Sequence, residues 1–136
     1  MRRLLPVNLD VALLALRVVL GVIMIYHGWP KVTNLGGTIE GFTGMGVPLP
    51  AFSAVFAAVA EFGGGLLILL GVLTDIAGLA FAIDMLGAIA VVHAKNGFAV
   101  DKGGVEWPLA LLAMALAIAL AGPGRYSVGG AAASRR

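Results

Sequence analysis

Three ionisable side chains lie inside long apolar stretches of the 136-residue chain: Arg17, Glu61 and Asp84. Charged groups in apolar surroundings are costly, so each of them needs a partner or a function. Counted along helices, the three lie at similar depths, and we predict a buried polar brace in which Arg17 and Glu61 form an ion pair. Such a pair either holds helices together or lies on a path for protons and small polar solutes.

A second group of polar residues occurs where the same stretches begin or end: His27, Lys31, His93 and Glu106. Histidine exchanges a proton near neutral pH, and ammonium and carboxylate groups bind polar atoms. We therefore predict that these four residues bind the polar head group of a ligand such as a quinone. The alternative is a structural role, in which the histidines cap loops and the lysine extends its charge to the membrane surface.

Several other kinds of site are excluded by the sequence. The chain has no cysteine, which rules out disulfides, thiolate catalysis and cysteine-held iron–sulfur clusters. His27, His93 and Glu106 could together bind a metal ion, but the histidines lack the i, i+4 spacing of a helical metal motif, which disfavours this alternative, and no metal site is predicted. The net charge of +2 is too small to indicate nucleic-acid binding. No intrinsic cofactor is expected, and any quinone would be a bound molecule.

The composition indicates that membrane-spanning helices position these residues. Hydrophobic residues make up 60% of the chain and charged residues 12%, with a mean hydropathy of +1.02. Soluble domains have about 45–50% and about 25%, respectively. Since roughly 20 apolar residues in a helix cross a bilayer core, the sequence predicts an all-α membrane protein with four transmembrane helices packed as a bundle. The four segments run from about Leu9 to Trp29, Pro50 to Leu73, Ile76 to His93 and Glu106 to Ala121.

These segments predict one transmembrane domain over residues 1–128, followed by a disordered tail over residues 129–136. Lysine and arginine are enriched in cytoplasmic loops, and their distribution predicts that both termini are cytoplasmic. Arg125 and Tyr126 directly follow the last segment. They are predicted to be interfacial anchors at the level of the lipid head groups.

Asp84 and His93 raise a geometric difficulty. They are nine residues apart, which places them on opposite faces of a regular helix. Both can reach the centre of one bundle only if the third helix ends or bends before His93. Otherwise one of the two faces a partner subunit, which would favour a homo-oligomer or a place in a larger complex.

Short motifs follow one another through the chain. They are Arg17; His27-Gly28-Trp29-Pro30-Lys31; Glu61 with Gly63-Gly64-Gly65, Gly71 and Thr74; His93 with Gly97-Phe98; Gly103-Gly104-Val105-Glu106-Trp107-Pro108-Leu109; and Gly122-Pro123-Gly124-Arg125-Tyr126-Ser127. In this order they resemble the DoxX family of small four-helix membrane proteins, over about four-fifths of the chain. Two positions depart from the family pattern. Val128-Gly129 stands where the family usually has Leu-Asp, and Asp84 stands where an apolar residue is expected.

The resemblance implies a multi-pass protein of the bacterial plasma membrane with both termini inside. Members of the family are linked to respiratory and redox systems, as subunits or membrane anchors of oxidoreductase complexes. We therefore interpret the chain as a non-catalytic membrane subunit or anchor of a quinone-linked redox complex that acts in oxidative stress. Its expected partners are the lipid bilayer and a soluble or membrane oxidoreductase. The alternatives are an oligomeric carrier or channel for protons or small polar solutes, and a purely structural anchor.

Overall fold

The computed structural model describes residues 2–133, and these residues form helices without any β-strand. Three helices are long and apolar enough to cross a membrane, and a fourth apolar helix, Glu106–Ala121, is shorter, with 16 residues. The helices are α1 (Leu9–Thr33), α2 (Leu35–Gly44), α3 (Pro50–Leu70), α4 (Thr74–Asn96), α5 (Glu106–Ala121) and α6 (Val128–Ala133). The predicted all-α fold with apolar membrane helices is confirmed. The orientation of the termini stays a prediction.

Local sequence signals account for the helix boundaries. Asn8 caps α1 by accepting a hydrogen bond from the Val11 N–H at 3.1 Å, and Asn34 caps α2 by accepting one from the Gly37 N–H at 3.0 Å. Pro50 lies in the first turn of α3, where its missing N–H costs nothing. Gly71 ends α3 with a φ of 73°, a left-handed conformation that glycine adopts without strain.

Helices α1, α3, α4 and α5 pack around one apolar core. Small residues of α3 permit close packing, and five of them are buried: Ala54, Ala57, Ala58, Gly64 and Gly65. The closest approach involves Gly28 of α1, because a Cβ atom there would collide with the backbone nitrogen of Phe62. Within the same bundle, α4 packs mainly against α5. Close approach through glycine and alanine is the usual way in which helices associate in lipid.

The close contact at Gly28 predicts a large effect for one added methyl group. We expect Gly28→Ala to lower the free energy of unfolding by about 1–3 kcal/mol, because the obstacle is backbone and cannot rotate away. Unfolding monitored by circular dichroism in detergent would measure this. Gly87→Ala is the matched control, since no heavy atom lies within 4 Å of the added methyl. Equal stability of the two variants would contradict the proposed packing.

The chain after α5 differs from the predicted disordered tail. Residues Val128–Ala133 form α6, and the Gly129 N–H donates a hydrogen bond of 3.1 Å to the carbonyl oxygen of Gly71. The tail therefore folds back onto the end of α3, and small glycines allow this approach. The rest of the predicted tail, residues 134–136, lies outside the described part of the chain.

Candidate functional site

Arg17 is buried in the structure, but its partners are not those predicted. The guanidinium donates four hydrogen bonds to backbone carbonyl oxygens, at 2.9–3.0 Å. Nε bonds Ile68 and Nη2 bonds Leu69 near the end of α3, while Nη1 bonds both Pro123 and Tyr126 after α5. The predicted Arg17–Glu61 ion pair is wrong. Arg17 instead joins three segments at the end of the bundle where α3 and α5 terminate.

Glu61 forms its ion pair with Lys31, at 2.7 Å between Nζ and Oε2. The side chain of Glu61 is 8% exposed and that of Lys31 is 22% exposed. Lys31 also donates a hydrogen bond of 3.0 Å to the backbone carbonyl of His27. Asp84 interacts electrostatically with both Glu61 and Lys31. The three members of the predicted brace therefore separate, with Arg17 at one level and the two carboxylates at another, next to Lys31.

Two irregular turns help to bring the polar residues together. Both are π-helical, Val59–Gly63 in α3 and Ile89–His93 in α4. A π turn contains one residue more than an α turn and often occurs at functional sites. The extra residue rotates the following part of the helix by about 100° relative to a regular α-helix. Asp84 and His93 consequently line the same cavity, which removes the geometric reason for placing one of them against a partner subunit.

That cavity has a volume of about 560 Å³ and lies between α1, α3, α4 and α5, beneath the segment that connects α1 to α3. Its polar lining residues are His27, Lys31, Ser53, Glu61, Asp84 and His93. The rest of the wall is apolar and rich in aromatic and methionine side chains, among them Phe42, Phe52, Phe56, Phe81, Met85 and Trp107. A cavity of this size with a few converging polar groups is typical of small-molecule sites.

The two histidines of the predicted site differ in their surroundings. His27 is exposed, and its ring makes an edge-on contact with Tyr26, with ring centroids 5.4 Å apart. His93 is half-buried, and its Nδ1 lies 2.7 Å from the carbonyl oxygen of Gly103. A carbonyl oxygen only accepts hydrogen bonds, so Nδ1 carries a proton. In the neutral ring Nε2 is then an acceptor.

Glu106 is the one predicted head-group residue that does not line the cavity. Its Oε2 accepts a hydrogen bond of 2.9 Å from the backbone N–H of Val100. The cavity therefore brings together three of the four predicted residues, His27, Lys31 and His93. The carboxylates that line it are Glu61 and Asp84, and Glu106 is not among them. Ligand binding by these residues stays a prediction. The aromatic wall was missed by sequence reasoning. Its one visible signal was the i, i+4 pair Phe52 and Phe56 near the start of α3.

Arg125 and Tyr126 lie at the opposite end of the bundle from this cavity. The backbone N–H of Arg125 donates a hydrogen bond of 2.9 Å to Asp10 Oδ1, and the backbone carbonyl of Tyr126 accepts one from Arg17. Both side chains are exposed, and Tyr126 retains 50% of its accessible surface. Their role as interfacial anchors stays a prediction.

Comparisons with known proteins point to one family. The family model described as DoxX matches residues 12–94. The chain is 36% identical over 115 residues to the protein named "Putative oxidoreductase CatD" of Bacillus subtilis (strain 168), covering 85% of this chain and 82% of CatD. It is 34% identical over 119 residues to "Inner membrane protein YqjF" of Escherichia coli (strain K12), covering 88% and 90% of the two chains.

A further relative, "Inner membrane protein YphA" of Escherichia coli (strain K12), is 32% identical over 123 residues, covering 87% of this chain and 88% of the relative. No solved structure matches the chain. The family model covers nearly all of α1, all of α3 and nearly all of α4, and the relatives cover most of the chain. With its long apolar helices, the protein is a multi-pass membrane protein that belongs to the DoxX family.

Proposed function

We propose that this protein is a membrane subunit of a redox complex in the bacterial inner membrane and that it binds a quinone in the cavity. The observation that carries the proposal is the convergence of Lys31, Glu61 and Asp84 at one apolar, aromatic-lined cavity between the membrane helices. The names of CatD and of the inner membrane relatives support it. The electron-transferring partner would be a soluble or membrane oxidoreductase.

The chemistry of the lining residues fits a quinone. Its ring and isoprenoid chain are apolar, like most of the wall, and its two carbonyl oxygens need hydrogen-bond donors. Lys31 and His27 supply donors, while the reduced form needs acceptors for its hydroxyl groups, which Asp84 and His93 supply. Asp84 Oδ2 is buried beside Glu61, and no N–H or hydroxyl group of the described residues donates a hydrogen bond to it. A buried acceptor without a partner is costly, and a hydroxyl group of the ligand would satisfy it.

Each residue has a defined task in this proposal. A bound quinone supplies two-electron, two-proton chemistry. Lys31 holds a carbonyl oxygen while Glu61 compensates its charge, and the aromatic wall orients the ring and excludes water. Asp84 and His93 hold or release protons at Oδ2 and Nε2, respectively. The chain contributes binding and proton positions, and the electrons come from the partner.

Binding can be measured through Trp107, which lines the cavity. The chain has two tryptophans, so a Trp29→Phe background leaves Trp107 as the only tryptophan, which can be excited selectively at wavelengths where tyrosine does not absorb. In nanodiscs we expect a short-chain quinone to quench Trp107. Asp84→Ala is expected to weaken binding of the reduced form about tenfold, because it removes one hydrogen bond to the ligand.

Asp75→Ala is the matched control, since Asp75 lies at the start of the same helix and does not line the cavity. Equal affinities of both variants and the parent would contradict the proposed site. If no quinone binds and the reconstituted protein instead conducts protons or small polar solutes across vesicles, the carrier function replaces the redox subunit. The carboxylates of Glu61 and Asp84 inside the membrane helices are the reason for considering this function, because such groups often lie on ion pathways.

A further inference from the structure

The loop between α4 and α5 is folded tightly against itself. The Val105 N–H donates to the Gly97 carbonyl and the Glu106 N–H donates to the Phe98 carbonyl, both at 2.9 Å. A Cβ atom at Gly104 would come within 2.5 Å of the Gly97 oxygen, so only glycine allows this approach. The loop is therefore a compact unit whose shape is determined by its own backbone hydrogen bonds.

The side chain of Glu106 adds one more hydrogen bond within this loop. Its Oε2 accepts a hydrogen bond of 2.9 Å from the N–H of Val100, the first residue of the short helical turn Val100–Lys102. The N–H groups at the start of a helical turn have no partner within the turn, so the carboxylate acts as their cap. Glu106 thus fixes where the turn begins.

The same turn ends at Gly103, whose carbonyl oxygen faces His93. Gly103 has a φ of 70°, and its carbonyl accepts hydrogen bonds from His93 Nδ1 at 2.7 Å and from Asn96 Nδ2 at 3.2 Å. This contact assigns the proton of the neutral ring to Nδ1 and leaves Nε2 as an acceptor. Among the described residues the His27 ring has no such partner, so only one of the two histidines has a defined tautomer.

We infer that Glu106 is a positioning residue: through the Val100–Lys102 turn it holds the Gly103 carbonyl against His93 and so presents Nε2 as a hydrogen-bond acceptor to the cavity ligand. This inference rests on the proposed function for the identity of the ligand, but the tautomer of His93 exists without it. It also gives Glu106 a role at the site although its side chain does not line the cavity.

Two substitutions at Glu106 separate positioning from charge. Glutamine keeps an oxygen that accepts the Val100 N–H, whereas alanine does not. Ring nitrogens of ¹⁵N-histidine-labelled protein in nanodiscs report the tautomer by NMR. The chain has two histidines, so a His27→Gln variant assigns the His93 signals. We expect the Nδ1-protonated tautomer in the parent and in Glu106→Gln. In Glu106→Ala we expect both nitrogens to shift toward the averaged positions of a free imidazole.

Asp101→Ala is the matched control, because Asp101 is an exposed carboxylate in the same turn with no hydrogen-bond partner among residues 2–133. We expect it to leave the His93 signals unchanged. An Nε2-protonated ring in the parent, or an unchanged tautomer in a folded Glu106→Ala, overturns the inference. If Glu106→Ala does not fold, Glu106→Met serves as the second variant, since it keeps the length of the side chain and its thioether sulfur is only a weak acceptor.

Quinone affinity on the same samples distinguishes the two proposals. We expect an approximately tenfold weaker affinity in Glu106→Ala and parent-like affinity in Glu106→Gln, corresponding to one hydrogen bond. A shifted tautomer with unchanged affinity overturns the ligand part of the inference. A parent protein with the Nδ1 tautomer and no quinone affinity overturns the proposed function while the positioning of His93 stands.

Discussion

Arg17→Lys is expected to lower the free energy of unfolding by about 3–5 kcal/mol, although it keeps the positive charge. The guanidinium is planar and offers five N–H donors in a fixed fork, and four backbone carbonyls use them. A lysine ammonium at the same position cannot reach all of these oxygens. Those left without a donor would be buried in apolar surroundings, where an unsatisfied carbonyl is costly.

Arg17 also joins elements that are far apart in the chain. Its partners are the last turn of α3 and the segment after α5, and its side chain is almost fully buried, with 2% of the residue exposed. Gly71 makes room for it, since a Cβ there would lie 2.8 Å from the guanidinium carbon. Replacing the guanidinium should therefore loosen both the end of α3 and the segment after α5 that packs against it.

Thermal and denaturant unfolding in detergent would measure the effect of Arg17→Lys. Arg125→Lys is the matched control, because the Arg125 side chain is exposed and makes no hydrogen bond or ion pair among residues 2–133. We expect that control to stay within about 0.5 kcal/mol of the parent. Parent-like stability of Arg17→Lys would show that the carbonyl contacts contribute little to the bundle.

The second large effect is expected at the Lys31–Glu61 ion pair. Lys31→Met leaves the carboxylate of Glu61 buried without its cation, which should destabilise the bundle by about 3 kcal/mol. Glu61→Gln should cost less, about 1–2 kcal/mol, since the partly exposed ammonium of Lys31 can regain water. The double variant Lys31→Met/Glu61→Gln should recover most of the loss, because neither charge is then left alone.

Ligand affinity should respond differently from stability in this series. Both single variants and the double variant lack part of the polar cluster, so all three are expected to lose quinone affinity at least tenfold, even where stability recovers. A double-mutant cycle on unfolding free energy, with Trp107 quenching on the same samples, tests both statements. Strictly additive unfolding energies would show that the two charges do not interact. Retained quinone affinity in the double variant would place the ligand elsewhere.

The position of Glu61 shows why counting residues from the helix ends did not predict the depth of a side chain in the bundle. Helix α1 runs four residues beyond the predicted end at Trp29, and α3 meets it at Gly28, beside Glu61 and Phe62. Arg17 is eleven residues from Gly28, or about 16 Å along the helix. The predicted common level of Arg17 and Glu61 was therefore wrong. The register of two antiparallel helices depends on where their smallest residues meet, which hydropathy does not encode.

His93 illustrates a second limit. A regular helix places it opposite Asp84, and the prediction of a bend or a partner subunit followed from that regularity. The structure resolves the conflict with a π turn over Ile89–His93. Apart from His93, the residues of that turn are of the same types as those of a regular membrane helix. The last residue of the turn, His93, makes a hydrogen bond from its ring to the Gly103 carbonyl, which lies outside the turn.

The sequence by itself determined the class of the protein, the number of apolar helices and most of the chemical groups at the candidate site. These follow from local properties, since hydropathy over about 20 residues selects a membrane helix and ionisable groups in such a helix are rare enough to stand out. Only the tertiary structure decided which charge meets which partner. Arg17 pairs with carbonyls that become available where α3 and α5 end, and Glu61 pairs with Lys31 because Gly28 sets the register of α1 against α3. Two groups can pair only if the folded chain brings them within bonding distance, and that distance depends on how the helices and loops pack.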